Sequence, residues 1–439
     1  MAYHDNYGKY LKEVPSDIAR CQETGHRVVF GYTSDLDIVF HYDPDVFCKL
    51  FEQHLQTVPG ILPTDSIGSV ADLARVSAAY MVAGEGGEID ITDYSVCEYL
   101  NSHLDGVRGL GGTCAQGAAA LAAMGMPLIA HISDHCRPVC ELMDYPGLDT
   151  IKDGRPVPIM ESATDDVPVY HMILQFTRGD KLKIGKETYT VLCSNRLIMD
   201  YDTIHKDLNV SEDFKKYLED HAESLVSYNI SGLNAMLDPE LTRKRLTEIE
   251  QHYRTVKAKN PDCIFYFESA HYLNPEVKHL VYHMMAQYVD ILGMNEEELV
   301  VHSRECGEEI DKSDFSGVIR GLELVLNKHK VNGIILHTKD YSMYYGNELP
   351  NIDIEKGLTM GNLMSGTRAR TGRYGDQKDC EETLSLPLSP TGLRFAQEVE
   401  NISSSRSICL VPSRYMEKPA YTIGLGDTFV AGVQMAFIR

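Results

Sequence analysis

The sequence predicts an α/β protein with a mostly parallel central sheet flanked by helices, and a smaller lid domain rich in β-strand. Two observations support this prediction. Short apolar runs alternate with helical stretches along most of the chain, and two segments interrupt that alternation. Because strands joined through a helix usually pair in parallel, the alternation favours one sheet covered on both faces. The interruptions favour a separate, smaller unit.

Five short apolar runs are predicted to be buried strands, several of them ending at polar residues or turns. They cover residues 27–32, 127–132, 263–268, 333–338 and 408–413. The intervening helical patterns predict helices over residues 212–228, 238–259 and 314–329. The polar segment 366–382 is predicted to be a loop.

The lid domain is predicted to be discontinuous in sequence. Residues 36–105 mix short helices with other segments, and residues 165–204 read as strands and turns, including a β-hairpin over residues 179–188. We expect the two segments to meet over the ends of the main strands. At 439 residues the chain exceeds what one core usually organises. The large nucleotide-binding domain is then assigned to residues 1–35, 106–164 and 205–439.

The composition restricts the partners. The chain has 64 acidic and 41 basic residues and a formal net charge of -23, which opposes binding to nucleic acid or anionic membranes. The N-terminus does not resemble a secretory signal, and the uncharged segment 109–133 is rich in Gly and Ala, which favours a buried helix and strand over a membrane span. Eleven cysteines indicate reduced thiols. We therefore expect a cytoplasmic protein that binds small molecules.

The segment TIGLGDTFVAG, residues 422–432, is a glycine-rich turn that leads into an apolar helix. Free N–H groups at a helix start bind anions, so Gly424, Leu425 and Gly426 are predicted to form an anion hole. Asp427 is an unexpected charge at such a place. It is either the N-cap of the helix or a base that accepts a proton beside a bound phosphate.

Two acidic features are consistent with a metal site. Glu268 ends a strand-like run, and the segment GMNEEEL at residues 293–299 contains Asn295 and Glu298. That segment also fits the first turn of a solvated helix capped by Asn295. Carboxylates suit Mg²⁺ or another divalent cation between phosphate oxygens. A separate group of metal-type side chains, for which packing and turn contacts are the favoured interpretation, comprises His131, His135, Cys136 and Cys140.

Several short motifs together indicate a family. They are GYTSDLD (31–37), GG (111–112), SNRLI (194–198), ISGLN (230–234), YFE (266–268), NEEE (295–298) and GLGD (424–427). In this order they resemble the ADP-dependent phosphofructokinase and glucokinase family, which has the ribokinase-like fold. The resemblance extends from about residue 28 to the end of the chain.

The resemblance implies transfer of the β-phosphate of ADP to a hexose or hexose phosphate, with fructose 6-phosphate as the first choice of acceptor. Asp427 would be the catalytic base. Glu268, Asn295 and Glu298 would bind Mg²⁺ or another divalent cation. Tyr266 departs from the family pattern, which has a histidine two residues before the acid.

The resemblance and the residue types also suggest substrate contacts. The candidate sugar-binding residues are Asp37, Asp35, Glu88, Gly111, Gly112, Arg196 and Arg178, the arginines serving a sugar phosphate. Close helix–strand packing equally explains the two glycines. The candidate nucleotide-binding residues are Arg368, Arg370 and His337. Three alternatives remain: an ADP-dependent glucokinase, an ATP-dependent ribokinase-like sugar kinase, and a non-catalytic sugar- or nucleotide-binding protein.

Overall fold

The structure is a computed structural model that describes residues 2–62 and 64–438. The strands are β1 (Arg27–Gly31), β2 (Asp35–His41), β3 (Gly87–Asp90), β4 (Val107–Gly111), β5 (Leu128–Ala130), β6 (Leu148–Lys152), β7 (Arg155–Pro158), β8 (Tyr170–Phe176), β9 (Lys181–Ile184), β10 (Glu187–Thr190), β11 (Asn195–Tyr201), β12 (Leu225–Ile230), β13 (Ile264–Glu268), β14 (Ile291–Asn295), β15 (Gly333–His337), β16 (Tyr341–Gly346) and β17 (Ser407–Pro412).

The helices are α1 (Ala2–Thr24), α2 (Pro44–His54), α3 (Val70–Ala83), α4 (Tyr94–His103), α5 (Thr113–Ala123), α6 (Arg137–Leu142), α7 (Glu212–Asp220), α8 (Pro239–Lys259), α9 (Pro275–Met285), α10 (Glu296–Glu305), α11 (Phe315–His329), α12 (Ile354–Thr371), α13 (Gln377–Thr383), α14 (Pro390–Asn401) and α15 (Leu425–Val433). No helix in the described ranges has the length and apolar character needed to span a membrane.

The main sheet of the described chain has ten strands in the order β17-β16-β15-β14-β13-β12-β1-β5-β6-β7. The strands from β15 through β6 pair in parallel, whereas β16 and β7 run in the opposite direction and β17 pairs antiparallel with β16. The predicted mostly parallel central sheet is therefore confirmed. Because parallel neighbours share one orientation, the carboxyl ends of β1, β12, β13, β14 and β15 meet at the same edge.

Helices cover both faces of this sheet, as the alternation of side chains along β1 shows. Val28 and Phe30 pack into a core with α1, α5, α12 and α15, whereas Val29 packs into a second core with α7, α8, α9, α11 and α14. Successive side chains of a strand point to opposite faces, so each central strand contributes to both cores. This explains why the central strands are apolar throughout.

Two local predictions were wrong. The helix predicted over residues 212–228 ends at Asp220, because residues 225–230 are fully buried and form β12 between β1 and β13. The loop predicted over residues 366–382 is mostly helical, since α12 continues to Thr371 and α13 follows. Polar side chains near the end of α12 are buried inside the protein, so their polarity does not indicate solvent exposure.

A smaller sheet in the described chain has the strand order β3-β11-β8-β2-β4. One of its faces packs against α2, α3 and α4. The hairpin predicted over residues 179–188 is present as β9 and β10, which pair antiparallel. Val107–Gly111 pairs with β2, so the smaller sheet continues beyond residue 105, where we predicted the lid segment to end. The domain division itself stays a prediction.

Candidate active site

A cavity of about 620 Å³ lies between the open face of the smaller sheet and the carboxyl ends of β1, β12 and β13. We call it the acceptor cavity. Successive side chains of a strand point to opposite faces of the sheet, and this alternation explains the polar lining of the cavity. On β2, Leu36 and Ile38 pack against the helices, so Asp35 and Asp37 face the cavity. On β8 the same alternation turns His171 toward it.

Strand register brings four charged groups together in the acceptor cavity. Asp37 lies opposite His171, and His171 lies opposite Asp200 on the other side. The Nδ1 of His171 is 3.0 Å from Asp35 Oδ1 and 3.4 Å from Asp37 Oδ1, and its Nε2 is 3.8 Å from Asp200 Oδ1. Burial alone would lower the pKa of His171, but Asp35 and Asp200 raise it well above its ordinary value. The ring is therefore a cation that forms ion pairs with these carboxylates.

Asp35, Asp37 and His171 are close enough to hold a metal ion. A protonated imidazole has no free lone pair for a cation, however. We therefore interpret this group as an acidic surface for hydroxyl groups, held in place by the imidazolium. We did not identify His171 from the sequence. Its signal was present in YHMILQF, where Met172, Leu174 and Phe176 define one apolar face and leave His171 on the other.

Most of the predicted sugar-binding residues line the acceptor cavity. They are Asp35, Asp37, Glu88, Gly111, Gly112 and Arg196. A Cβ at Gly111 would overlap Asp35 Oδ1, so a side chain at this position would displace that carboxylate. Arg178 lies elsewhere, on the exposed turn after β8, where its backbone N–H donates to Ser194 Oγ at 2.8 Å. Besides Arg196, the cavity lining includes Lys206, whose Nζ is 2.9 Å from Asp90 Oδ1.

A second cavity, of about 420 Å³, lies at the carboxyl ends of β14 and β15 beside α12. We call it the donor cavity. Its lining residues include Asn295, His337, Asn362, Gly366, Ser413, Tyr415, Leu425 and Gly426. Of the predicted nucleotide-binding residues, only His337 lines it. Arg370 instead forms an ion pair with Glu382 at 3.0 Å, and Arg368 is buried beneath the start of α15.

The glycine-rich turn lies between the two cavities. Ile423 and Asp427 line the acceptor cavity, whereas Leu425 and Gly426 line the donor cavity. The N-cap of α15 is Gly424, in the left-handed conformation with φ of 67°. The interpretation of Asp427 as the N-cap is therefore wrong, because Asp427 already belongs to the first helical turn.

Asp427 has an environment that suits a base. Burial and the nearby Glu268 raise the pKa of Asp427 to about 6, although a hydrogen bond from Thr113 and the positive charge of Arg368 act in the opposite direction. A carboxyl with this pKa is ionised at neutral pH and accepts a proton more readily than an ordinary aspartate. The turn thus places a proton acceptor beside the acceptor cavity.

Glu268 is held by two side chains from neighbouring positions. The hydroxyl of Tyr266 donates to Glu268 Oε2 at 2.9 Å, and His337 Nε2 donates to Glu268 Oε1 at 2.7 Å. Gly293 on β14 leaves room for this arrangement, because a Cβ there would overlap both Glu268 Oε2 and the Tyr266 hydroxyl. The imidazole missing at position 266 is thus supplied from β15. Burial alone would lower the pKa of His337, but Glu268 raises it overall.

Asn295 and Glu298 form the N-terminal cap of α10. Asn295 Oδ1 accepts from the backbone N–H groups of Glu297 and Glu298, and Glu298 Oε2 accepts from Asn295 N at 2.9 Å. The capping interpretation is confirmed, and it is compatible with a metal site. Burial and the proximity of Glu268 raise the pKa of Glu298 to about 7. A divalent cation held by these residues would offset the repulsion of the two carboxylates, so their chemistry suits Mg²⁺.

The His131, His135, Cys136 and Cys140 group has partners within the protein. His131 Nδ1 lies 3.0 Å from Tyr32 O, and His135 Nδ1 lies 3.0 Å from Ser162 Oγ. The thiol of Cys136 donates to Asp134 Oδ2, and that of Cys140 donates to His135 O. These contacts support the packing interpretation.

A mostly parallel α/β sheet, a smaller sheet over its strand ends and a helix-initiating turn between two cavities are the features that the sequence predicts for a phosphotransferase of the ribokinase-like fold. The family model described as the ADP-specific phosphofructokinase/glucokinase conserved region matches residues 26–435. The chain belongs to this family.

Individual proteins agree with the family assignment. The ADP-specific phosphofructokinase of Thermococcus litoralis is 25% identical over 317 residues, covering 67% of this chain and 68% of that protein. The solved structure of the last common ancestor of ADP-dependent phosphofructokinases from Methanosarcinales aligns over 100% of this chain and 98% of its own, with a TM-score of 0.82 and 18% identity. An ADP-dependent kinase in complex with fructose-6-phosphate and ADPβS aligns over 99% and 98%, with a TM-score of 0.76 and 18% identity.

Proposed function

We propose that this protein is an ADP-dependent sugar kinase that transfers the β-phosphate of ADP to fructose 6-phosphate, giving AMP and the phosphorylated sugar. One observation carries the proposal: the turn at Gly424–Asp427 belongs to both cavities at once. A phosphoryl group bound at this turn would contact a nucleotide on one side and a sugar hydroxyl on the other. The assignment of ADP as donor follows the family.

The turn supports an in-line transfer. Backbone N–H groups at the start of α15 would bind the transferred phosphoryl group and stabilise its charge. Asp427 accepts the proton of the sugar hydroxyl as its oxygen attacks phosphorus. The new O–P bond forms while the bond to the leaving phosphate breaks, and its electron pair leaves with AMP. The raised pKa of Asp427 matches a base that works near neutral pH.

The acceptor cavity would bind the sugar through its carboxylates. Asp35, Asp37 and Glu88 would accept hydrogen bonds from sugar hydroxyls, with His171 fixing the orientation of the two aspartates. Arg196 would face the phosphate of fructose 6-phosphate. A buried site of this kind rejects ligands that leave its polar groups unpaired.

Glu268, Asn295 and Glu298 would hold the divalent cation, Glu268 being oriented by Tyr266 and His337. When bound, the cation neutralises phosphate charge in the donor complex. We also propose that the enzyme acts in the cytoplasm, because all eleven cysteines are free in the described chain, as expected in a reducing compartment.

Glucose is the second candidate acceptor. The acceptor cavity carries more carboxylates, among them Asp35, Asp37, Glu88 and Asp200, than cationic groups, among them Arg196, Lys206 and the imidazolium of His171. This excess of negative charge favours a neutral sugar over an anionic one. The family also includes glucokinases.

A matrix of donors and acceptors tests the proposal. ADP, ATP and pyrophosphate are each combined with fructose 6-phosphate, glucose, tagatose 6-phosphate and ribose, and product is measured by mass spectrometry. We expect product only with ADP, and most with fructose 6-phosphate. Preference for glucose would select the second candidate, and preference for ATP would select the ATP-dependent alternative. Binding without product in every combination would support the non-catalytic alternative and contradict the proposal.

Replacing the base tests the mechanism. Asp427→Asn keeps the size of the side chain but removes the proton acceptor, so kcat is expected to fall by about 100-fold or more. Sugar binding, measured by calorimetry, should change little. Unchanged turnover in this variant would rule out Asp427 as the base.

A further inference from the structure

Arg368 is a buried cation beneath the glycine-rich turn. It lies in the last turn of α12, and only 4% of its surface is exposed. Its guanidinium carbon lies 4.1 Å from the ring centre of Tyr374 and 4.9 Å from that of Tyr421. Among residues 2–62 and 64–438, no carboxylate forms an ion pair with it. A cation buried without such a partner is costly, so its remaining contacts must compensate.

The polar contacts of Arg368 are directed at the start of the turn. Its Nε donates to the carbonyl oxygen of Ile423 at 3.0 Å, and its Nη2 donates to Gln116 Oε1 at 3.3 Å. The hydroxyl of Tyr374 donates to the same Gln116 oxygen at 3.1 Å. A Cβ on Gly424 would overlap that oxygen. The guanidinium, the Gln116 amide and the bare backbone of Gly424 therefore fit together as one packed unit.

The backbone at the end of α12 also binds the residues that precede the glycine-rich turn. The N–H groups of Ala420 and Tyr421 donate to the carbonyl oxygen of Ala369 at 2.9 and 3.2 Å. Residues 420–423 are thus attached to the end of α12 through main-chain bonds and through the Arg368 side chain. Gly424 O then accepts from the hydroxyl of Thr428 at 2.8 Å as α15 begins.

We propose that Arg368 is a positioning residue that preforms the turn at Gly424–Asp427 for phosphoryl transfer. This inference rests on the proposed function. Arg368 lines neither cavity, so it does not touch a substrate and acts through its bonds to Ile423 and Gln116 and through its charge near Asp427. A planar guanidinium suits the role, because it donates two bonds in fixed directions while its faces stack on two rings.

Two substitutions separate positioning from general packing. Arg368→Met removes both donors and the charge but keeps a long apolar stem. Arg368→Lys keeps the charge and one donor but lacks the planar fork. Arg394→Met is the control, since Arg394 also stacks on an aromatic ring, that of Phe395 at 4.9 Å, but is exposed and forms no hydrogen bond to residues 420–428 in the described chain.

Amide hydrogen exchange of the peptide covering residues 420–428 is measured for each variant without substrates, together with steady-state kinetics and thermal unfolding. In Arg368→Met we expect exchange of this peptide to rise at least about tenfold, because a turn with fewer bonds opens more often. We expect kcat to fall on the order of 100-fold, since a small misplacement of reacting groups has that effect. KM for ADP should stay within about threefold of wild type, because Arg368 lies outside the donor cavity. Arg368→Lys should recover part of kcat, and Arg394→Met should match wild type.

Unchanged exchange of residues 420–428 in Arg368→Met would overturn the inference, whatever the activity. A rise in KM for ADP with unchanged kcat would also overturn it, because that result indicates direct nucleotide binding. If wild-type protein forms no product while the exchange result holds, the proposed function fails and the structural role of Arg368 stands.

Discussion

The pH dependence of catalysis follows from the environment of Asp427. The proposed base would work only when ionised, and burial raises its pKa to about 6, so activity should fall as the pH drops through that value. At about pH 5, roughly one site in ten carries the ionised base, and kcat/KM is expected to be about tenfold below its plateau. The assay is the initial rate of product formation at low acceptor concentration, with ADP and magnesium saturating, between about pH 5 and 8.

A substitution at Thr113 identifies the titrating group. A phosphorylated acceptor also ionises in this pH range, but its pKa does not depend on the enzyme variant. Thr113→Val removes the hydroxyl that lowers the pKa of the Asp427 carboxyl, so the acidic limb should move to higher pH. Thr422→Val is the control. Thr422 is exposed and lies in the same glycine-rich segment as Asp427, so this variant should leave the acidic limb at its wild-type pH. An acidic limb that does not move in Thr113→Val, or constant activity down to about pH 5, would refute this reasoning.

Two further substitutions test the surroundings of Glu268. Gly293→Ala places a methyl group against Glu268 and the Tyr266 hydroxyl, and should lower the free energy of unfolding by about 1–3 kcal/mol in urea titrations. Gly8→Ala is its control, because Gly8 lies on α1 with open space around the added methyl group. This control should raise the free energy of unfolding by about 0.5–1 kcal/mol. Equal changes in stability for the two variants would contradict the packing argument. Tyr266→Phe removes one hydrogen bond to Glu268 and should raise the magnesium concentration for half-maximal rate by about tenfold. An unchanged magnesium requirement would show that His337 alone orients Glu268.

Features of this protein that depend on residues close together in the chain could be predicted from its sequence. The apolar runs correctly predicted most of the central strands, because buried parallel strands are apolar on both faces. The glycine turn with Asp427 and the acid at the end of β13 are local patterns, and the structure places both at the carboxyl edge of the sheet. β12 was missed because SLVSY continues a helix-like pattern and only pairing with β1 and β13 makes it a strand.

Features that depend on long-range pairing were not readable. The role of His171 depends on the register that sets it between Asp37 and Asp200, and no local pattern fixes register between β2, β8 and β11. Arg368 looked like a loop residue near the nucleotide because its neighbours are polar. It lies instead on a buried helix end, where residues 116 and 423, distant in sequence, accept its hydrogen bonds. Tyr266 in place of a histidine suggested that Glu268 has no imidazole partner, but His337 on another strand supplies one.

The shared turn limits how this protein can change. One short stretch of backbone forms the wall of both the donor cavity and the acceptor cavity, so the two recognition sites are not independent modules. In the proposed enzyme, a substitution that widens the donor cavity for a larger nucleotide would also displace Asp427 on the other side. New sugar specificity would then be easier to acquire on the smaller sheet, at positions such as Glu88 and Arg196, which lie away from the turn. The same geometry predicts that donor preference is the more constrained of the two properties.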